Sequence, residues 1–189
     1  MTRLLVDRQA TAQWHDLVKE AEAFNGLALD EELESYLVFL LIRYTGKPEL
    51  AAKVMALDYL EGAQAMGSER RDRMRDVGDQ CLLYSGFFPK RAEKRRVRVS
   101  YYVDLGRTAY HNVAEATQAA MAEMFAHLAE SFVSLMDTLQ AIRSMHQQDE
   151  LDPIRAFEQW QETGSQRART VLGQITEATP LVIPSRTRH

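Results

Sequence analysis

Met121, Phe125, Leu128, Phe132, Leu135, Leu139 and Ile142 follow one another at alternating steps of four and three. That spacing holds one apolar stripe on one side of a helix for three heptads. It predicts a continuous helix over about 118–146, roughly 40 Å long at a rise of about 1.5 Å per residue. Such a stripe has to be covered, by neighbouring helices of an antiparallel bundle or by a second copy across a two-fold axis. Met124, Met136 and Met145 widen it with adaptable apolar surface.

The rest of the chain follows the same helical logic. Its 9 glycines and 5 prolines fall where helices begin and end. Only "VRVSYYV", residues 97–103, alternates in the manner of a strand. A first helix is expected over 11–24, with Trp14, Leu17, Val18 and Ala21 on one face and a stop at "FNG". Asp30 reads as the N-cap of a second, where Glu31, Glu32 and Glu34 favour the positive end of the helix dipole. Its body, "SYLVFLLIRY", is apolar nearly all round and is expected to be central and buried. Pro48 should open a third helix and Gly46 close the second. Ser68 and Ser100 are candidate N-caps for two more, the first ending at Gly86. Asp152 with Pro153 and then Ser165 mark two final helices. "TPLVIPSRTRH" reads as an extended tail. The sequence therefore predicts an all-α, single-domain multi-helix bundle of about seven or eight helices over 1–178, with a tail over 179–189. The helices at 31–43 and 118–146 should be its centre.

Bulk features narrow the class. The chain has 189 residues, 46% of them apolar and 26% charged, enough for a full core without disulfides or metal. Cys81 is the one cysteine, so no intrachain disulfide forms, which fits a reducing compartment. "MTRLLVDRQA" lacks the apolar run of a signal peptide, and the longest apolar run, residues 36–42, is far short of a membrane span. The expectation is a soluble cytoplasmic protein with no membrane partner. The motifs match no named family, and the general look is that of bacterial all-helical proteins, which implies no activity.

Charge gives the sharpest lead. Net charge is -4, yet residues 70–98 hold ten Lys and Arg against four acids. Arg70, Arg71, Arg73 and Arg75 precede Lys90, Arg91, Lys94, Arg95, Arg96 and Arg98, and Tyr101 and Tyr102 follow them. Guanidinium groups fork onto phosphate or carboxylate in a way that lysine cannot match. Tyr84, Phe87 and Phe88 lie on the other side, and aromatics interleaved with arginines suit nucleobases. The plainer reading is a charged helix junction, with the aromatics in the core and the arginines paired to neighbouring acids. No zinc finger, RNP-type strand or GXXG loop is present.

Catalytic signals are weak. His111 with Glu115 and Glu123 with His127 are spaced i, i+4, but di-metal bundles use Glu-x-x-His at i, i+3. These four are the leading metal-ligand candidates, with Glu34 and Glu61 as further ligands that nothing in the sequence demands, and no metal or cofactor is expected. Cys81 in "GDQCLLY" reads as a small core residue, and Ser85 lacks a nucleophile elbow. Gly106 lies inside an apolar helix face, where it would let another helix approach closely. The functional expectation is a non-enzymatic interaction or regulatory protein, a homodimer, engaging an acidic protein partner through its Arg-rich surface. Two alternatives stand beside it: nucleic-acid or anionic-ligand binding by the same surface, and a helical-bundle enzyme, metal-dependent through His111, Glu115, Glu123 and His127.

Overall fold

A computed structural model describes residues 2–45, 55–88, 97–147 and 151–175. Among the described residues it is helical throughout, without strands. The helices are α1 (Thr2–Asn25), α2 (Glu31–Thr45), α3 (Met55–Gln64), α4 (Gly67–Gly86) and α5 (Val99–Glu115). They are followed by α6 (Ala119–Glu130), α7 (Phe132–Gln147), α8 (Pro153–Thr163) and α9 (Gln166–Ile175). Nine helices are thus described, where seven or eight were expected.

The main reason is Ser131. The expected 118–146 helix is two helices that meet there, with Ser131 at φ -89° and ψ 8°. Its own N–H still bonds to His127 O at 2.9 Å, and its carbonyl still accepts from Leu135 N at 3.0 Å. The regular helix is interrupted at this one residue. α6 then lies along α5, while α7 packs against α1 and α4. The apolar stripe runs through the interruption into one core, buried from Phe125 to Ile142, and only Met121 at its start is exposed. The seam is covered within the chain, so it leaves no heptad face for a two-fold partner.

Capping chemistry decides the other boundaries. Asp30 Oδ1 accepts from Leu33 N at 3.0 Å, as an N-cap should. Asp152 accepts from Ile154 N at 3.0 Å, with Pro153 in the first turn. Ser165 Oγ accepts from Ala168 N at 3.0 Å. Gly26 and Gly164 adopt positive φ of 63° and 74° where α1 and α8 stop. Two expected serine caps do not form. α4 starts one residue before Ser68, and α5 starts at Val99, so Ser100 lies inside α5 and bonds Glu162 instead. α1 reaches back to Thr2 because nothing between 2 and 10 breaks a helix. The alternating stretch 97–103 runs into α5 and is helical from Val99. Pro48, Gly46 and the tail over 179–189 lie outside the described residues.

α2 is not the central helix its composition suggested. It buries Leu33, Leu37, Val38, Leu40 and Leu41 but leaves Phe39 61% exposed. α4 takes the central place. Its C-terminal half is buried on every side, and its widest contact is with α5. Two glycines set that closeness. A Cβ on Gly78 would overlap the Tyr110 ring, and one on Gly106 would overlap Phe132 and come within 2.9 Å of Cys81 Cβ. The close approach expected at Gly106 is therefore present.

α8 and α9 form a hairpin with a small core of its own, Ala156, Ala168 and Leu172, flanked by Leu151, Trp160 and Val171. It attaches to the main bundle largely through buried polar groups. Gln140 and Gln159 exchange amide bonds at 3.2 and 3.0 Å. Gln140 Nε2 also donates to Ser85 O at 2.9 Å, and Ser165 Oγ donates to Asp137 Oδ1 at 2.6 Å.

Candidate functional site

The described part of the basic island is largely paired to neighbouring groups. Arg70 Nη2 donates to Asn112 Oδ1 at 2.7 Å, joining α4 to α5. Arg73 bridges Glu61 of α3 at 2.7 Å and Glu69 of its own helix at 3.0 Å. Those carboxylates raise its guanidinium pKa, chiefly through the Glu61 bond. Arg75 lies 3.6 Å from Asp76 and 3.9 Å from Asp72. Arg98 pairs with Glu162 of α8. Arg71 is half-buried on α4. Local acids thus offset much of the charge of these arginines. Lys90, Arg91, Lys94, Arg95 and Arg96 lie outside the described residues.

The aromatic frame belongs to the core. Tyr102 is 3% exposed and its ring stacks on Tyr84 at 5.5 Å. Phe88 packs against Tyr44 at 5.4 Å and Tyr84 at 6.3 Å. Of the two tyrosines singled out in the sequence, only Tyr101 is solvent-facing, at 43% exposure. A stacking platform for bases would need free ring faces, and Tyr84 and Tyr102 have spent theirs on each other.

The metal-ligand candidates are dispersed. His111, Glu115 and Glu123 are exposed, while His127 turns to the start of α2, 3.3 Å from Asp30 and 3.9 Å from Glu32. Among the described residues, no three His, Cys, Asp or Glu side chains are grouped to hold a metal. Cys81 is fully buried, and burial pushes its thiol far above the ordinary range. A thiol held neutral in this way is a poor nucleophile.

Two buried polar centres escaped the sequence reading. In the first, Asp79 of α4 accepts from Tyr36 Oη at 2.6 Å and Tyr110 Oη at 3.0 Å. Arg43 Nη1 reaches its other oxygen at 3.1 Å, and Arg43 Nη2 reaches Asp76 at 2.6 Å. Burial pushes the Asp79 carboxyl upward, while both phenols and Arg43 oppose the shift. Burial likewise drives both phenols well above their usual range. The cluster ties α2, α4 and α5 together, and its Arg43, Asp76 and Asp79 line a small cleft beside Leu40, Tyr44 and Leu83. The signal was present: a helix buried on all sides that carries an aspartate must supply it with donors.

The second centre surrounds the start of α9. Asp137 of α7 accepts from Ser165 Oγ and, at 3.2 Å, from Arg167 N. Burial pushes its carboxyl up to about 6. Arg167 itself is buried. Its terminal nitrogens donate to Asn25 Oδ1 at 3.2 Å and Ser144 Oγ at 2.7 Å, both neutral acceptors. Sequence spacing could not reveal this centre, because its members are brought together from α1, α7 and α9.

No helix among the described residues is long and apolar enough to cross a membrane. No protein-family model, curated protein or solved structure matches the chain.

Proposed function

We propose that this chain is a non-enzymatic interaction protein, and that it docks an acidic protein partner through the arginine-rich segment joining α4 to α5. The observation that supports this reading is where the charge is left over. The described arginines of α4 and Arg98 are largely offset by local acids or bonded to Asn112, so most of the positive excess falls to 89–96. That segment holds five Lys and Arg against one acid. Its flanks, Phe88 before it and Val97 after it, pack against the core. Partner carboxylates would accept from the guanidinium forks of this segment. A cytoplasmic setting belongs to the same reading.

The nucleic-acid alternative has less support, since Tyr84 and Tyr102 are core residues stacked on each other and only Tyr101 of the flanking tyrosines faces solvent. Homodimerisation loses the heptad seam that suggested it.

The test compares the wild type with Arg91→Glu/Arg95→Glu/Arg96→Glu, titrated with a polyglutamate peptide and with a pool of short RNA and DNA. Docking of an acidic protein surface should appear as peptide binding that the triple variant loses. Preference for the nucleic-acid pool, weakening steeply between about 50 and 200 mM salt, would replace this reading with the nucleic-acid one. Equal binding by wild type and variant would sink both.

A further inference from the structure

The end of α1, the end of α7 and the α8–α9 hairpin enclose an open groove of about 750 Å³. That is within the size range of sites for small organic ligands, roughly 300–1,000 Å³. Its walls are mixed, and Phe24, Met145, Leu151, Val171 and Ile175 form their apolar part. Its polar lining is Asn25, Ser144, Arg167, Thr170 and Gln174, and among the described residues no aspartate or glutamate lines it. A ligand in this groove does not depend on the docking reading.

Arg167 is the unusual member. It is only 6% exposed, and among the described residues its Nε has no acceptor. Among the described residues no carboxylate accepts from its guanidinium, only the amide oxygen of Asn25 and the hydroxyl of Ser144. Asp137 is bonded to its backbone N–H instead. The Phe24 ring lies 5.7 Å beneath the guanidinium carbon. Burial of Arg167 outweighs the attraction of nearby Asp137, and Arg143 adds a like charge, so the hydration this cation lost is not fully recovered. Its favoured counterpart is a planar anion able to accept from the guanidinium, with an apolar body to cover the walls.

From this geometry we propose that the groove binds an amphiphilic monocarboxylate, an acyl chain of medium length ending in a carboxylate. The carboxylate takes the place of the neutral acceptors at Arg167, and the chain lies along Phe24, Met145, Val171 and Ile175. Charge and apolar surface are both required. A carboxylate without the chain lacks the wall contacts, and the chain without charge leaves Arg167 as it is.

The experiment is calorimetric titration of the full chain with decanoate below its micelle concentration, with acetate and 1-decanol as partial ligands. Saturable binding of one decanoate per chain is expected, with both partial ligands at least about tenfold weaker, a factor worth about 1.4 kcal/mol. Arg167→Met should weaken decanoate by a similar factor. Because Arg167 is buried, Ile175→Glu gives a second test that leaves the interior untouched. Ile175 is 54% exposed, and a glutamate there places a like charge at the groove's edge. It should fold as the wild type does and bind decanoate at least about tenfold less tightly. Absence of saturable decanoate binding, equal affinity for 1-decanol, or undiminished binding in Ile175→Glu would each overturn the proposal.

Discussion

At the scale of single residues, the contact between α4 and α5 depends on side chains that are missing. Gly106 faces Phe132 and Cys81 with no room for a methyl group. Gly106→Ala gains up to about 1 kcal/mol of helix propensity. It also forces a ring and a backbone apart, which costs about 1–3 kcal/mol. The variant is expected to unfold at lower urea concentration than the wild type. Gly173 on α9 supplies the contrast, since an added Cβ there meets no atom within 4 Å. Gly173→Ala should raise the urea midpoint, by up to about 1 kcal/mol in stability. The same urea titrations run on both variants check the pair. Asp79 shows how much a single buried carboxylate can hold. Asp79→Ala would strand two phenols in the interior and leave Arg43 with Asp76 alone, a loss of about 1–3 kcal/mol for each phenol, expected from chemical denaturation.

At the scale of elements, the join between α7 and α9 is sensitive to pH. Asp137 titrates near 6 in the folded chain, against an ordinary value of 3.8. The folded state therefore keeps a proton that the unfolded chain has already released between those values. Stability contributed by this group is full at low pH, falls as pH rises through about 4–6, and is flat above. The total fall is about 3 kcal/mol. Asp79 shifts in the same direction, so the difference between wild type and Asp137→Asn isolates the one group. Urea midpoints at pH 4.5 and 7.5 should lie closer together in Asp137→Asn. Legibility in the sequence followed the range of the interaction. Caps at Asp30, Asp152 and Ser165 were readable because donor and acceptor are two or three residues apart. The stripe from Phe125 to Ile142 was readable because burial imposes a local period. The break at Ser131 was not, because a heptad count continues through a one-residue interruption. Phe39 misled because an apolar helix can lie at the edge of a bundle as well as at its centre. The contacts of Asp79 and Arg167 join residues up to 142 positions apart, beyond any local pattern.

At the scale of the whole molecule, the α8–α9 hairpin is held differently from the rest. α1, α2 and α4 to α7 share one large apolar core, whereas the hairpin has a small core of its own and a polar seam. Amide protons of α8 and α9 are expected to exchange through a local opening, well before those of α4, α5 and α7. Gln159→Leu leaves the amide of Gln140 without its buried counterpart, at a cost of about 1–3 kcal/mol. Exchange in the hairpin should then quicken while the central helices stay as protected as before, which hydrogen-exchange mass spectrometry can resolve. The phenols of Tyr36 and Tyr110 have an optical consequence. Both point at a buried carboxylate and resist ionisation while that cluster is intact. In an alkaline titration their tyrosinate absorbance should arrive as one sharp step, when the bundle opens and releases them together. The chain thus carries a native chromophore for its own unfolding, with no label attached.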